Sequence, residues 1–181
     1  EPLLDTLQEV DPTFTPVPSL KSPMLSSTLR NARGYRVELL TPHQGSDERG
    51  DDLLPLPSIP GLGAQPLRFL DYLLYGEVPT VVLHGPGIAV NVPAPERYAV
   101  HKLIVASRRS GAGRLKAAKD AAQAGSLIQA LVATRQADTL RDAWDDAMAR
   151  GPHWRKALQQ GVRRLEPEAA AQLETVTGPI R

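Results

Sequence analysis

Arg97, Lys102, Arg108, Arg109, Arg114, Lys116 and Lys119 all fall between Glu96 and Asp120, and no acidic residue lies among them. Lys and Arg neutralise phosphate oxygens through charge-assisted hydrogen bonds, so a run of this kind suits a triphosphate or a nucleic-acid backbone. The spacing is helical. Lys102 and Arg109 are seven residues apart and return to one face after two turns. On the following segment Lys116, Asp120 and Gln123 share a face, while Ala117, Ala121, Ala124 and Ile128 form a small-residue stripe suited to close helix packing. A single acid on a basic face can orient a base or hold a lysine in place. The plainer reading is a pair of amphipathic helices with ordinary solvated charge.

Other chemistry-bearing residues are sparser. In RGYRVELLTP the alternation places Glu38 opposite Val37 and Leu39, so a carboxylate sits in an otherwise apolar strand. The tract GSDERGDD behind it holds Asp47, Glu48, Asp51 and Asp52, expected as a solvated loop. His84 in VVLHGPG has no second His or acid at ligand spacing, which favours a hairpin histidine over a zinc ligand. GPG is turn chemistry, because no Lys-Ser or Lys-Thr follows it. His101 points about 100° away from Lys102 on a helix and is expected to pack. Trp144 and Trp154 are expected as core anchors. Neither a nucleophile elbow, a zinc-protease motif nor a dinucleotide fingerprint occurs.

The elements that must position these residues follow from composition and proline placement. The 181 residues are 41% hydrophobic with a net charge of +1, enough for a sizeable core and too balanced for a global field toward nucleic acid or membrane. The chain has no cysteine, which excludes disulfides, thiolate zinc sites and cysteine nucleophiles. No apolar stretch approaches the roughly 18 residues of a membrane helix, so no membrane partner and a cytoplasmic location are expected. The chain begins at Glu1 and not at Met, so an upstream segment is expected. Of the 17 prolines, 14 lie between Pro2 and Pro95, which disfavours interior helix in that half.

Residues 1–93 read as strands and loops with short helices. LLDTLQEV and PLRFLDYLLYG are expected as helices, YRVELL as a strand, and TVVLHG with IAVNV as a hairpin. Residues 94–181 read as helices: PERYAVHKLIVASRR opens at Pro95, then RLKAAKDAAQAGSLIQALVATRQ, DTLRDAWDDAMARG, HWRKALQQGVRRL and PEAAAQLETV. The expected fold class is α+β, a small α/β lobe over 1–93 followed by a helical lobe over 94–181.

The runs RGYRVELLTP, LRFLDYLL, GIAVNVPAPERYAVHKLIVASRR and LKAAKDAAQAGSLIQAL resemble a bacterial group of nucleotidyltransferase-fold proteins. They are more distantly similar to the nucleotidyltransferase toxins of abortive-infection (type IV toxin-antitoxin) systems. The resemblance covers about residues 10–165 and is sharpest at PERYAVHKL and KAAKDAAQA. It implies a mixed sheet with a helical C-terminal lobe, and magnesium-assisted transfer of a nucleoside monophosphate from an NTP to a hydroxyl, with RNA, protein or a small molecule as acceptor. On this resemblance Glu38 is the third metal-site carboxylate, Lys102 faces the phosphates and Asp120 is the acid of the later motif. Arg108, Arg109, Lys116 and Lys119 join Lys102 around the phosphates.

Two departures accompany the resemblance. Gln123 stands where the toxins often carry a second acid. No Gly-Ser turn with a strand-borne Asp-x-Asp precedes Glu38; Glu9 and Asp11 mimic the spacing but read as the end of a helix before Pro12. Family order places those elements before residue 1, so the α/β lobe is expected to be incomplete at its N-terminus. The competing reading is a non-catalytic module that binds nucleotide, RNA or a protein partner through the basic surface 97–119.

Overall fold

Leu3, Leu4 and Leu7 recur at helical spacing and form one face of helix α1 (Leu3–Val10). The structure, a computed structural model, describes residues 3–19, 22, 24–43 and 52–180. After α1 the chain turns at Asp11, whose Oδ1 accepts hydrogen bonds from the Thr13 N–H (3.0 Å) and hydroxyl (2.6 Å), while Asn31 Nδ2 donates to Oδ2 (3.0 Å). The Asp11 carboxylate is thus occupied in a turn. Glu9 and Asp11 belong to a helix exit, as their sequence indicates.

Among the described residues six short strands follow: β1 (Thr15–Pro16), β2 (Thr28–Arg30), β3 (Arg36–Glu38), β4 (Leu40–Pro42), β5 (Leu54–Pro55) and β6 (Gly63–Leu67). β1, β2 and β3 form an antiparallel sheet; β6 is the centre of another, parallel to β4 and antiparallel to β5. Phe14, Leu29 and Leu62 are buried at the centre of this unit, with Leu3, Leu4, Leu7, Val37, Leu39 and Ile59 packed around them. The expected YRVELL strand is divided at Leu39. Its N–H donates to Ser27 O (2.8 Å) and its carbonyl accepts from Gln65 N (2.8 Å), so the segment passes from one three-stranded sheet to the other instead of joining a single mixed sheet.

A second expectation is corrected at PLRFLDYLLYG. Pro66 and Leu67 finish β6, and helix α2 covers only Leu70–Leu74, after a turn in which Phe69 has φ of 65°. Pairing of Pro66 and Leu67 with Thr41 and Pro42 of β4 outweighs the local helical periodicity. The expected hairpin is present as β7 (Val78–Val82) paired with β8 (Ile88–Val92), with Gly85 (φ 55°) and Gly87 (φ 93°) in its turn. His84 is an exposed turn residue.

Five helices follow: α3 (Pro95–Arg108), α4 (Arg114–Ala133), α5 (Ala137–Ala149), α6 (Pro152–Val162) and α7 (Pro167–Thr177). Helix α3 contacts α4, α5 and α6, and buries Ala99, Val100, Leu103, Ile104 and Ala106. The stripe Ala117, Ala121, Ala124 and Ile128 of α4 is buried, as its spacing predicts. Gly161 of α6 lies against the backbone of Leu103, so close that a Cβ there would overlap the Leu103 carbonyl.

The chain divides into two compact units, 1–71 and 72–181, where the proline distribution suggested a division at 93/94. The physical reason is Tyr72. It is fully buried in the second unit, its hydroxyl donates to Ala143 O (2.8 Å), and its ring meets that of Trp154 edge-on at 5.4 Å. The hairpin also belongs to the second unit.

Candidate functional site

Lys102 lies on α3 and Arg109 just past its end in extended backbone (φ −72°, ψ 125°), and Asp120 of α4 meets both. Lys102 Nζ donates to Asp120 Oδ1 (2.8 Å) and Arg109 Nε donates to Asp120 Oδ2 (2.6 Å). Asp120 is only 4% exposed, so its charge is sustained by those two cations and not by water. Burial pushes the Asp120 carboxyl up, but hydrogen bonds and charges from Lys102 and Arg109 overcome this and hold it below its ordinary pKa. Burial likewise opposes the charge on Lys102, yet Asp120 and Tyr98 hold its ammonium above the usual lysine value. All three groups are ionised at neutral pH, and two cations against one anion leave a local excess of one positive charge.

The rest of the basic run is distributed around this centre. Arg108 is exposed at the end of α3, and Arg114, Lys116 and Lys119 are exposed along the first turns of α4. No acidic residue occupies the first turn of α4, although the helix dipole favours anions there. Three cations at this end concentrate positive potential where local helix stability would prefer a carboxylate. Arg97 is a correction to the expected surface 97–119: its Nη1 donates to Asp146 Oδ2 (2.8 Å) and its guanidinium lies over the rings of Tyr72 (4.7 Å) and Tyr75 (4.6 Å). Its guanidinium is held by Asp146, a half-buried carboxylate that it shares with Arg150.

Sequence reasoning missed two features. Arg97, Asp146, Arg150, Tyr72 and Trp154 form a cation–aromatic cluster, with Arg150 Nε donating to Asp146 Oδ1 (3.2 Å). Only the i,i+4 spacing of Asp146 and Arg150 signalled it. The other is Tyr98, one turn before Lys102, whose ring lies 5.1 Å from the ammonium. His101 packs as expected. Burial and the nearby Lys102 charge lower its pKa to about 4, so it is neutral at pH 7, and its buried Nδ1 has no hydrogen-bond partner among the described residues.

Glu38 lies in the other unit, exposed on β3 opposite Thr28, with Val37 and Leu39 turned to the core as the alternation requires. Asp47, Glu48 and Asp51 lie outside the described residues, and Asp52 is exposed. Among the described residues no group of three or more His, Cys, Asp or Glu could hold a metal ion. A divalent cation bound by protein oxygens needs converging carboxylates. The described residues therefore do not by themselves build the magnesium site that the resemblance implied. No described helix is long and apolar enough to cross a membrane.

The paired helices can hold polyanionic phosphate, with Asp120 fixing two of the cations. Neither the curated proteins nor the solved structures gave a match to the chain. Among known families, the model of one described as nucleotidyltransferase matches residues 1–149, a stretch that takes in the first compact unit and the second as far as the end of α5, and includes the whole basic face. With that span matched and a phosphate-suited surface inside it, the chain belongs to the nucleotidyltransferase family.

Proposed function

We propose that the α3–α4 face holds the triphosphate of an NTP during transfer of its nucleoside monophosphate to a hydroxyl. The observation that carries this reading is the Lys102–Asp120–Arg109 cluster within a surface otherwise rich in cations. In such a transfer the acceptor oxygen bonds to the α-phosphorus, the bond to pyrophosphate breaks, and the hydroxyl proton is lost to solvent. Negative charge accumulates on the departing pyrophosphate. Lys102 and Arg109, with Arg108, Lys116 and Lys119 around them, would neutralise that charge, and a preorganised cation costs no rearrangement when the charge develops. Asp120 has both oxygens committed, so its part is to hold Lys102 and Arg109 in place, not to abstract a proton. From the resemblance alone, Glu38 of the first unit is proposed separately as a metal-site carboxylate. RNA or protein is the proposed acceptor.

The same commitment of Asp120 favours one second reading: a nucleotide- or RNA-binding module in which the cations bind without catalysing. The test is to supply labelled NTPs with RNA and protein pools to the full-length protein. Lys102→Ala is expected to lower label transfer at least about 100-fold. Transfer that survives both Lys102→Ala and Glu38→Gln would overturn the site assignment. Binding of NTP with no transfer to either pool would favour the module.

A further inference from the structure

We propose that a groove on the α3–α4 face, beside the Lys102–Asp120–Arg109 cluster, is a pocket for the nucleobase of the bound NTP. The groove is an open depression of about 400 Å³ lined by Tyr98, Lys119, Ala122, Gln123, Ser126 and Leu127. That is within the range of small-ligand sites and sufficient for a base with its ribose. The inference rests on the phosphate reading above and adds to it where the uncharged end of the same molecule goes.

The lining divides by chemistry. The Tyr98 ring, the Ala122 methyl and the Leu127 side chain offer surface to the faces of a planar ring; the Gln123 amide, the Ser126 hydroxyl and Lys119 offer polar contacts to its edges. Residues 119, 122, 123, 126 and 127 form one stripe of α4 by their three- and four-residue spacing, and Tyr98 of α3 closes the other side. Gln123 Oε1 is buried and has no hydrogen-bond partner among the described residues, an acceptor that a base N–H would satisfy. An amide carries both donor and acceptor groups, the combination that reads base edges.

Charge complements this shape. Among the described residues no acid lines the groove, Lys119 is part of its lining, and Tyr98 lies under the Lys102 ammonium at 5.1 Å. A nucleotide with its base in the groove would find cations for its phosphates at both places. A triphosphate without a base would use the cations alone.

The experiment compares NTPs with inorganic tripolyphosphate binding to the full-length protein by calorimetry. NTP is expected to bind about tenfold more tightly, the worth of stacking one base. Ala122→Leu, which fills the groove from an exposed position, and Gln123→Leu, which removes the amide, should each abolish that advantage. Unchanged tripolyphosphate affinity in both variants shows that they are folded. Equal affinity for the two ligands in the unaltered protein overturns the base pocket and leaves the phosphate face standing. An NTP advantage that persists in both variants, or a parallel loss of both ligands, also overturns it. Binding of neither ligand to the unaltered protein overturns the phosphate reading and the pocket together.

Discussion

Asp120 accepts from Lys102 and Arg109 in a nearly closed environment, and that single carboxylate decides how the surrounding charges behave. Replacing it with Ala leaves two partly buried cations without their anion; a loss of about 3 kcal/mol of stability is expected in denaturant unfolding. Truncation that leaves the midpoint unchanged would show that water already supports Lys102 and Arg109. The neighbouring His101 makes a separate prediction. Its pKa falls to about 4 from the ordinary 6.5, so the unfolded chain binds more protons between these values. Stability is therefore retained above pH 6.5 and lost as pH falls toward 4, by at most about 3 kcal/mol. Thermal melts at pH 7 and pH 4.5 should show a smaller acid shift for His101→Leu than for the unaltered protein. Equal shifts would place the acid sensitivity elsewhere.

Helices α3 and α6 cross where Gly161 meets the backbone of Leu103. The crossing has no room for a methyl group, so Gly161→Ala must push the helices apart. A loss of about 3 kcal/mol or more is expected by chemical denaturation, and a variant as stable as the parent would contradict the packing. At the start of α4 the conflict between stability and charge is open to test. Lys116 is an exposed cation in the first turn, where the dipole favours an anion. Lys116→Glu should stabilise the protein by about 0.3–1 kcal/mol while weakening tripolyphosphate binding, measured by melting and calorimetry. A variant that gains stability and keeps full affinity would show that this residue serves neither ligand nor helix. The β7–β8 hairpin was legible from its turn, since Gly85 and Gly87 supply the positive φ that alternating apolar strands need there.

The two units, 1–71 and 72–181, imply different fragments from those suggested by proline content. A chain beginning at Leu70 keeps Tyr72 beneath Arg97, Arg150 and Trp154; one beginning at Ala94 loses it. Residues 70–181 are expected to unfold cooperatively, and residues 94–181 to be less stable by about 3–5 kcal/mol, the cost of an aromatic removed from a core. Identical unfolding curves for the two fragments would restore the boundary near 93. Family membership also applies at this scale, because the match over 1–149 draws on both units and not on the basic face alone.

Local periodicity determined much of this protein in advance. The five C-terminal helices, the buried alanine stripe of α4, and the inward Val37 and Leu39 follow from spacing, because helical i,i+4 neighbours share a face and strand residues alternate. Lys102 and Arg109 converge on Asp120 although Arg109 stands in extended backbone past the end of α3, so their shared partner and not a common helix face unites them. Tertiary structure alone decided the rest. Leu67 ended a strand and not a helix because β4 pairs with it, and Arg97 is drawn from the basic surface to Asp146, 49 residues away, and to the rings of Tyr72 and Tyr75. Asp120 became a carboxylate that holds two cations for the same reason: burial between helices removed the water that would otherwise have solvated it, and only Lys102 and Arg109 remained to balance its charge.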